Sequence, residues 1–136
     1  MDSLRRVYDA LLTLHLLGAF VAMVTIGMFS AWAVGAPANR GGFLVADWAW
    51  NVSGALLLIF GVWLALYVDG YELWDGWILG AIVLFGAASA FGARARETVM
   101  AEIGDEPPDR QVTLWHWLRT LSILLILVLM VWKPGA

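Results

Sequence analysis

The sequence predicts an all-α integral membrane protein, a bundle of four membrane-spanning helices with both termini on the same side. Of its 136 residues, 62% are hydrophobic and only 14% are charged, whereas a soluble domain carries about 25% charged residues. The apolar residues are collected in four segments, each near the roughly 20 residues that cross a bilayer. Eight of the nine tryptophans lie at the ends of these segments, which is typical of side chains at the membrane–water interface.

The four predicted spans cover residues 10–34, 48–68, 76–93 and 114–132, within a single transmembrane domain over 1–136. A Gly/Pro stretch follows the first span and a short acidic stretch follows the second. A charged loop over 94–111 follows the third, and this loop could hold a short surface helix before its two prolines. The first apolar run, about 25 residues long, exceeds the roughly 7–15 residues of a signal peptide. We therefore expect it to be retained as a span.

Charge and cysteine content exclude several classes of protein. The net charge of −3 argues against nucleic-acid binding, which needs a basic surface. The absence of cysteine excludes disulfides, thiolate metal sites and thiol catalysis. We name the side that carries both termini side A and the other side B. Side B carries four Lys or Arg residues against three on side A, so the positive-inside rule favours side B as cytoplasmic. The expected location is the cytoplasmic membrane of a bacterial-type cell.

Aromatic side chains and one lysine are predicted to anchor the spans at the two interfaces. An amphipathic ring suits the headgroup level, and a lysine at a helix C-terminus complements the helix dipole. The predicted anchors are Trp48, Trp50, Trp115 and Trp117 on side B, and Trp132 and Lys133 on side A.

Small residues recur at four-residue spacing in two spans. Gly76 and Gly80 form one such pair, and Gly27, Ala31 and Gly35 form another set. Small residues let helices approach closely in lipid. We expect them to serve packing within the bundle. The alternative is packing between subunits of a homo-oligomer or a larger membrane complex.

Four polar residues within the spans predict a cluster near side B. Asp47 and Asn51 are four residues apart, and His116 and Arg119 are three apart, so each pair shares a helix face. Arg119 is expected to pair with Asp47 or Asn51 if the second and fourth helices are adjacent. The cluster has two interpretations. It is either a polar lock between helices, or an ion, proton or ligand site that opens to side B.

The two histidines are predicted to lie at different depths. With a rise of about 1.5 Å per residue, His15 and His116 differ in height by about 16 Å. A haem with both as axial ligands is therefore excluded, because metal–histidine bonds are only about 2 Å long. His15 could bind haem b alone or with a non-histidine ligand. It could equally donate to a neighbouring carbonyl and hold two helices together. No other cofactor and no metal site are predicted.

Motifs of familiar enzyme classes are absent from the sequence. No serine–histidine–acid set can be assembled, because both histidines lie inside spans. There is no Walker loop, no HExxH and no CxxC. We therefore expect no catalytic residues and no enzyme activity.

Four stretches carry a resemblance to a known family. They are LTLHLLGAF in the first span, LVADWAW entering the second, FGVWLALY followed by GYELWDGWILGAIVL, and LVLMVWKPG at the end. In this order they resemble the predicted integral membrane proteins of domain-of-unknown-function family 2269, across essentially the whole chain. The most specific pieces are Ala46–Trp48 and Leu129–Pro134, so the resemblance implies importance for Asp47 and Lys133.

The first-span LHLLGAF is also similar to the opening of a larger group of membrane proteins. This group includes CopD-type copper-resistance proteins and HemJ-type protoporphyrinogen oxidases. A first-span histidine is tied to haem in the HemJ branch, so the resemblance implies a haem hypothesis for His15.

Three functional hypotheses follow from the sequence. The first is a small membrane scaffold or accessory protein, oligomeric in the bilayer, with the side-B polar cluster at its centre. The second is a transporter or channel in which Asp47, Asn51, His116 and Arg119 line a partial pathway. The third is a haem-binding redox protein that uses His15.

Overall fold

The protein is a bundle of four long α-helices. The computed structural model describes residues 1–37, 39–67, 71–101 and 110–133, with the side chains of 100 and 101 excepted. Helix α1 spans Asp2–Ala33, α2 spans Arg40–Tyr67, α3 spans Gly76–Ala101 and α4 spans Arg110–Trp132. These described ranges contain no β-strand. All four helices are long and apolar enough to cross a membrane.

The helices extend beyond the predicted apolar spans. Helix α2 begins eight positions before the predicted start at 48, because the Asn39 side chain accepts a hydrogen bond from the Gly42 amide (2.7 Å) and caps the helix. Helix α3 continues through residues 94–101, the first half of the predicted charged loop. Alanine and arginine are strong helix formers, so the stretch ARAR extends the helix where hydropathy alone ends it. The two prolines of the loop lie outside the described residues.

The helices pack as two hairpins, α1 with α2 and α3 with α4. Close approach in the first hairpin depends on Gly18, where a Cβ would lie 3.3 Å from the Ser53 carbonyl oxygen. In the second hairpin Gly80 leaves room for Leu129, which a Cβ would meet at 3.0 Å. Between the hairpins, α1 packs directly on α4.

The bundle has two unlike ends. At the polar end, where Phe29, Asp47, Arg96 and Arg119 lie, one buried apolar cluster joins α1, α2 and α3. The other end, the cavity end, has a smaller buried cluster of Ala65, Trp77 and Ile78. The polar end comprises the late part of α1, the early part of α2, the late part of α3 and the early part of α4. This alternation gives neighbouring helices an antiparallel arrangement.

One predicted interface anchor is wrong. Trp50 is only 4% exposed and belongs to the buried cluster at the polar end, whereas Trp48 is 67% exposed. Residues two positions apart on an α-helix are rotated by about 200°, so these two indoles cannot face the same surroundings. Trp117 and Trp132 are exposed, and Trp115 is half-buried and stacked on Phe91.

The small residues of α3 serve packing only in part, because a Cβ at Gly80 would meet Leu129 at 3.0 Å whereas a Cβ at Gly76 would meet nothing within 4 Å. Gly92 and Ala88 of α3 are buried against the rest of the bundle. On α1, by contrast, a Cβ at Gly27 or Gly35 would meet nothing within 4 Å, and Ala31 is exposed. The expectation of packing within the bundle is therefore wrong for the α1 set.

Candidate functional site

A chain of hydrogen bonds joins α4 to α1 at the polar end. Arg119 Nη2 lies 2.8 Å from His116 Nδ1, and His116 Nε2 lies 2.9 Å from Ser30 Oγ. A guanidinium only donates, so Nδ1 accepts and the ring proton is on Nε2, which donates to Ser30. The Ser30 hydroxyl in turn donates to the Ile26 carbonyl at 2.7 Å. His116 is thus a neutral imidazole with both nitrogens engaged.

Aromatic rings surround the Arg119 guanidinium. Its central carbon lies 4.2 Å from the ring centroid of Phe29 and 5.2 Å from that of Trp50. Arg119 is 2% exposed, and its Nε has no hydrogen-bond partner in the described part of the chain. Gly92 gives the side chain its space, because a Cβ there would lie 3.3 Å from Nη1. Cation–π contacts of this kind are worth up to about 2 kcal/mol when desolvated.

The predicted pairing of Arg119 with Asp47 or Asn51 is wrong. The buried carboxylate of Asp47 instead forms an ion pair with Arg96 of α3, with 3.3 Å between Oδ2 and Nε. The Asn51 amide donates to the Asp47 backbone carbonyl at 2.7 Å, within its own helix. The reason is the extra length of α3: residue 96 is helical, so its side chain lies beside α2.

The two predicted pairs therefore form no hydrogen bond or ion pair with each other, although the charges of Asp47 and Arg119 still interact. Asp47 and Asn51 line a polar cavity of about 310 Å³ between α2 and α3, together with Arg96. His116 and Arg119 line neither this cavity nor the second one described below. The first pair is open to small molecules, whereas the second pair is enclosed by protein.

A larger, apolar cavity lies between the two hairpins at the cavity end. It measures about 420 Å³, and all four helices contribute to its walls. The two hairpins approach each other across it at Gly54, where a Cβ would lie 2.8 Å from the Phe85 ring. Trp50 lines both this cavity and the polar one. Volumes of about 300–1,000 Å³ are usual for sites that bind one small molecule.

His15 lies in the wall of the apolar cavity. Its Nδ1 is 3.1 Å from the Leu57 carbonyl oxygen, and its ring packs on Gly61, where a Cβ would lie 3.0 Å from Cε1. A carbonyl only accepts, so Nδ1 carries the proton. Nε2 then keeps its lone pair and forms no hydrogen bond with any described residue. This is the arrangement in which metal-binding histidines are oriented by a backbone carbonyl.

The apolar cavity contains side chains that could ligate a haem iron, but His15 and His116 lie too far apart to ligate the same iron. His15 offers a free nitrogen, and Met23 and Met130 bring thioethers to the same cavity. His116 contacts Ser30, which lies 15 positions after His15 on α1, or about 22 Å along the helix. The exclusion of a shared ligand site for the two histidines is thereby supported. No group of three or more His, Cys, Asp or Glu suited to a metal ion occurs among the described residues.

Sequence reasoning missed a third group of polar atoms, at the cavity end. Lys133 was predicted to anchor α4 at the headgroups, yet it is half-buried and its Nζ donates to the Tyr71 hydroxyl at 2.7 Å. Tyr71 packs edge-on against Trp77, and both rings line the apolar cavity together with Lys133. The only sequence signal was the placement of Trp77 and Lys133 at span ends on the same predicted side.

Comparison of the chain with family models, with curated proteins and with solved structures found no match.

Proposed function

We propose that this chain is a small multi-pass membrane accessory protein that binds an apolar ligand between its two helical hairpins. The observation that carries this proposal is the apolar cavity of about 420 Å³, to which all four helices contribute. Its walls include exposed apolar side chains such as Met23, Leu58 and Leu127, so the space is open to the surroundings of the bundle. An apolar molecule can therefore enter between the hairpins, and the volume suits one small molecule.

The contacts at the polar end favour the lock interpretation of the predicted cluster. Arg119 and His116 are bonded to each other, and His116 is bonded to Ser30 on the opposite hairpin. Both are 2% exposed. A transport pathway needs polar groups that face a cavity, and these two face packed side chains. We therefore favour a structural role for them, in holding the hairpins together at one end.

The proposal is tested by filling the cavity. Ala81 of α3 lines it and is 8% exposed, so Ala81→Phe places a ring in the space. Val83→Phe is the matched control, because Val83 is on the same helix and 70% exposed. Native mass spectrometry of protein purified in mild detergent should show a bound small molecule in the wild type and in the control. Loss of that species in Ala81→Phe alone is the expected result; an unliganded wild type would refute the proposal.

A haem is the second candidate ligand, and the geometry of His15 favours it specifically. His15 would bind the iron through Nε2, with a cavity methionine as a second ligand, and the group would supply one-electron transfer. An absorption spectrum of the purified protein provides the test. A Soret band that disappears in His15→Ala would establish haem, and a colourless protein would eliminate it.

Location and oligomeric state are part of the proposal. We propose the cytoplasmic membrane, with the exposed apolar surfaces of the four helices facing lipid. The open face of α1 at Gly27 and Ala31 leaves space for a helix of a second copy. Crosslinking in membranes tests this: Gly27→Leu should reduce a dimer band, and a monomer in the wild type would exclude a homo-oligomer.

A further inference from the structure

We infer that the cavity end binds a long-chain carboxylate, a single-chain lipid whose anionic head lies against Lys133 and Trp77 and whose chain fills the apolar cavity. This inference rests on the proposed ligand-binding function and names the class of ligand. Two independent observations carry it, a cation with no acidic partner among the described residues and a buried donor with no acceptor among them, and an unusual backbone conformation at the lysine accompanies these two.

The cation is the Lys133 ammonium. Nζ donates one hydrogen bond to the Tyr71 hydroxyl and lies 4.8 Å and 5.5 Å from the ring centroids of Tyr71 and Trp77. No carboxylate in the described part of the chain lies within 4.0 Å of it. An ammonium has three N–H groups, so two remain for an anion. The Tyr71 oxygen accepts from lysine, which leaves its own hydrogen free to donate.

The buried donor is the indole of Trp77. This side chain is 9% exposed, lines the cavity, and its Nε1 has no hydrogen-bond partner among the residues described. An indole nitrogen only donates, and a buried donor without an acceptor costs about 1–3 kcal/mol. An oxygen acceptor in the cavity, close to the lysine, would remove that cost.

The backbone at Lys133 is held in an unfavourable conformation. Its φ is 42°, the only positive φ of a non-glycine residue in the described chain. Its amide still bonds the Leu129 carbonyl at 2.8 Å, in the manner of a helix C-cap where glycine is usual. Such strain persists only where the surroundings impose it. Here the conformation accompanies a lysine side chain that lies against Tyr71 instead of reaching away from the bundle.

The rest of the cavity indicates the form of the ligand. Its walls beyond the lysine are mainly apolar, with Leu57, Ile78 and Ile126 among them, and they suit a hydrocarbon chain. A volume of about 420 Å³ lies in the lower part of the range for sites that hold one small molecule, which favours one chain over two. The lining includes one lysine and no arginine. This single charge matches a carboxylate better than a phosphate monoester, which carries about 1.5–2 negative charges and is usually bound by arginines.

The test is a binding titration on delipidated protein in a neutral maltoside detergent, with native mass spectrometry as the readout. The probes are oleate, oleyl phosphate and the uncharged oleyl alcohol. Oleate should bind at least about tenfold more tightly than the alcohol, because a charge-assisted hydrogen bond is worth about one power of ten in affinity. Lys133→Gln should remove that preference, and Lys133→Arg should restore most of it.

A second variant separates binding from folding. Trp77→Phe keeps a ring and removes only the N–H, so it should weaken oleate by a few-fold and leave the alcohol unchanged. Trp74→Phe is the control, because Trp74 is 81% exposed. If oleate and the alcohol bound equally well and Lys133→Gln changed neither affinity, the proposed carboxylate head would be overturned. The proposed function would still stand in that case if Ala81→Phe blocked both probes. Tighter binding of oleyl phosphate would overturn the carboxylate class. If Ala81→Phe blocked neither probe, the proposed function itself would fail.

Discussion

At the polar end, a buried histidine–arginine pair joins the two hairpins, whereas at the cavity end mainly apolar side chains leave about 420 Å³ between them. Each end brings one histidine and one cation to the space between the hairpins, His116 with Arg119 at the polar end and His15 with Lys133 at the cavity end. At the polar end these are bonded to each other and enclosed. At the cavity end, His15 and Lys133 each keep a polar atom available on the wall of a cavity. Under the proposed function, a histidine and a cation hold the hairpins together at one end, and a histidine and a cation face the ligand at the other.

The largest expected effect on stability is at the polar histidine. His116→Leu removes the acceptor of a buried guanidinium and the bond to Ser30, so it should lower the free energy of unfolding by about 3 kcal/mol. His15→Leu removes one hydrogen bond to a helical carbonyl and should cost at most about 1 kcal/mol. Unfolding in mixed SDS and maltoside micelles measures both. Equal losses in the two variants would mean that both histidines contribute equally to stability, and that the two ends do not differ in cohesion.

Glycine-to-alanine substitutions on α3 should have a smaller effect on the free energy of unfolding, again at the polar end. Gly92→Ala puts a methyl group 3.3 Å from Arg119 Nη1, whereas a Cβ at Gly86 meets nothing within 4 Å. Gly86→Ala should stabilise by up to about 1 kcal/mol from helix propensity. Gly92→Ala should fall about 1–2 kcal/mol below that control, because the enclosed guanidinium must shift. The same unfolding assay applies, and two equal gains would mean that Arg119 is not tightly enclosed.

The ion pair at the polar cavity should contribute about 1 kcal/mol. Arg96→Gln leaves the buried Asp47 carboxylate without its partner, although Arg96 itself is half-exposed. The control is Arg94→Gln, which breaks a pair with Glu97 that is exposed on both sides and should change stability by less than about 0.5 kcal/mol. Thermal unfolding at low and high salt distinguishes them. A loss in Arg94→Gln as large as that in Arg96→Gln would show that burial of Asp47 is unimportant.

The smallest expected effect on stability is at the cavity lysine. Without ligand, Lys133→Gln removes one hydrogen bond and relieves no packing, so it should change the free energy of unfolding by less than about 1 kcal/mol. Unfolding of the delipidated variant measures this. A loss comparable to that in His116→Leu would mean that Lys133, like His116, holds the helices together.

Hydropathy and span length predicted the four helices and their order from the sequence. They could not predict where the helices end, because ends depend on local effects such as the Asn39 cap and the helix propensity of residues 94–101. This error had a consequence for the site. With residue 96 assigned to a loop, Asp47 had no predicted partner except Arg119.

Helix periodicity placed His116 and Arg119 on one face correctly, but it could not identify what that face meets. Ser30 is one serine in an apolar helix, and only tertiary packing brings it to His116. Trp50 was predicted at the interface because it is a tryptophan near a span end, a rule that ignores helix rotation. Lys133 was assigned to the headgroups on similar grounds, and no sequence pattern indicates its hydrogen bond to Tyr71 or its φ of 42°.

The most direct test of the account is the rise in melting temperature produced by oleate in three proteins: the wild type, His116→Leu and Ala81→Phe. A ligand that binds only the folded state raises the melting temperature, and at a fixed ligand concentration the rise grows with the logarithm of the affinity. The account predicts a lower starting temperature in His116→Leu with the ligand-induced rise retained. It predicts a nearly unchanged starting temperature in Ala81→Phe with the rise abolished. An oleate-induced rise in Ala81→Phe equal to that of the wild type, or its loss in His116→Leu, would contradict the assignment of cohesion to one end and ligand binding to the other.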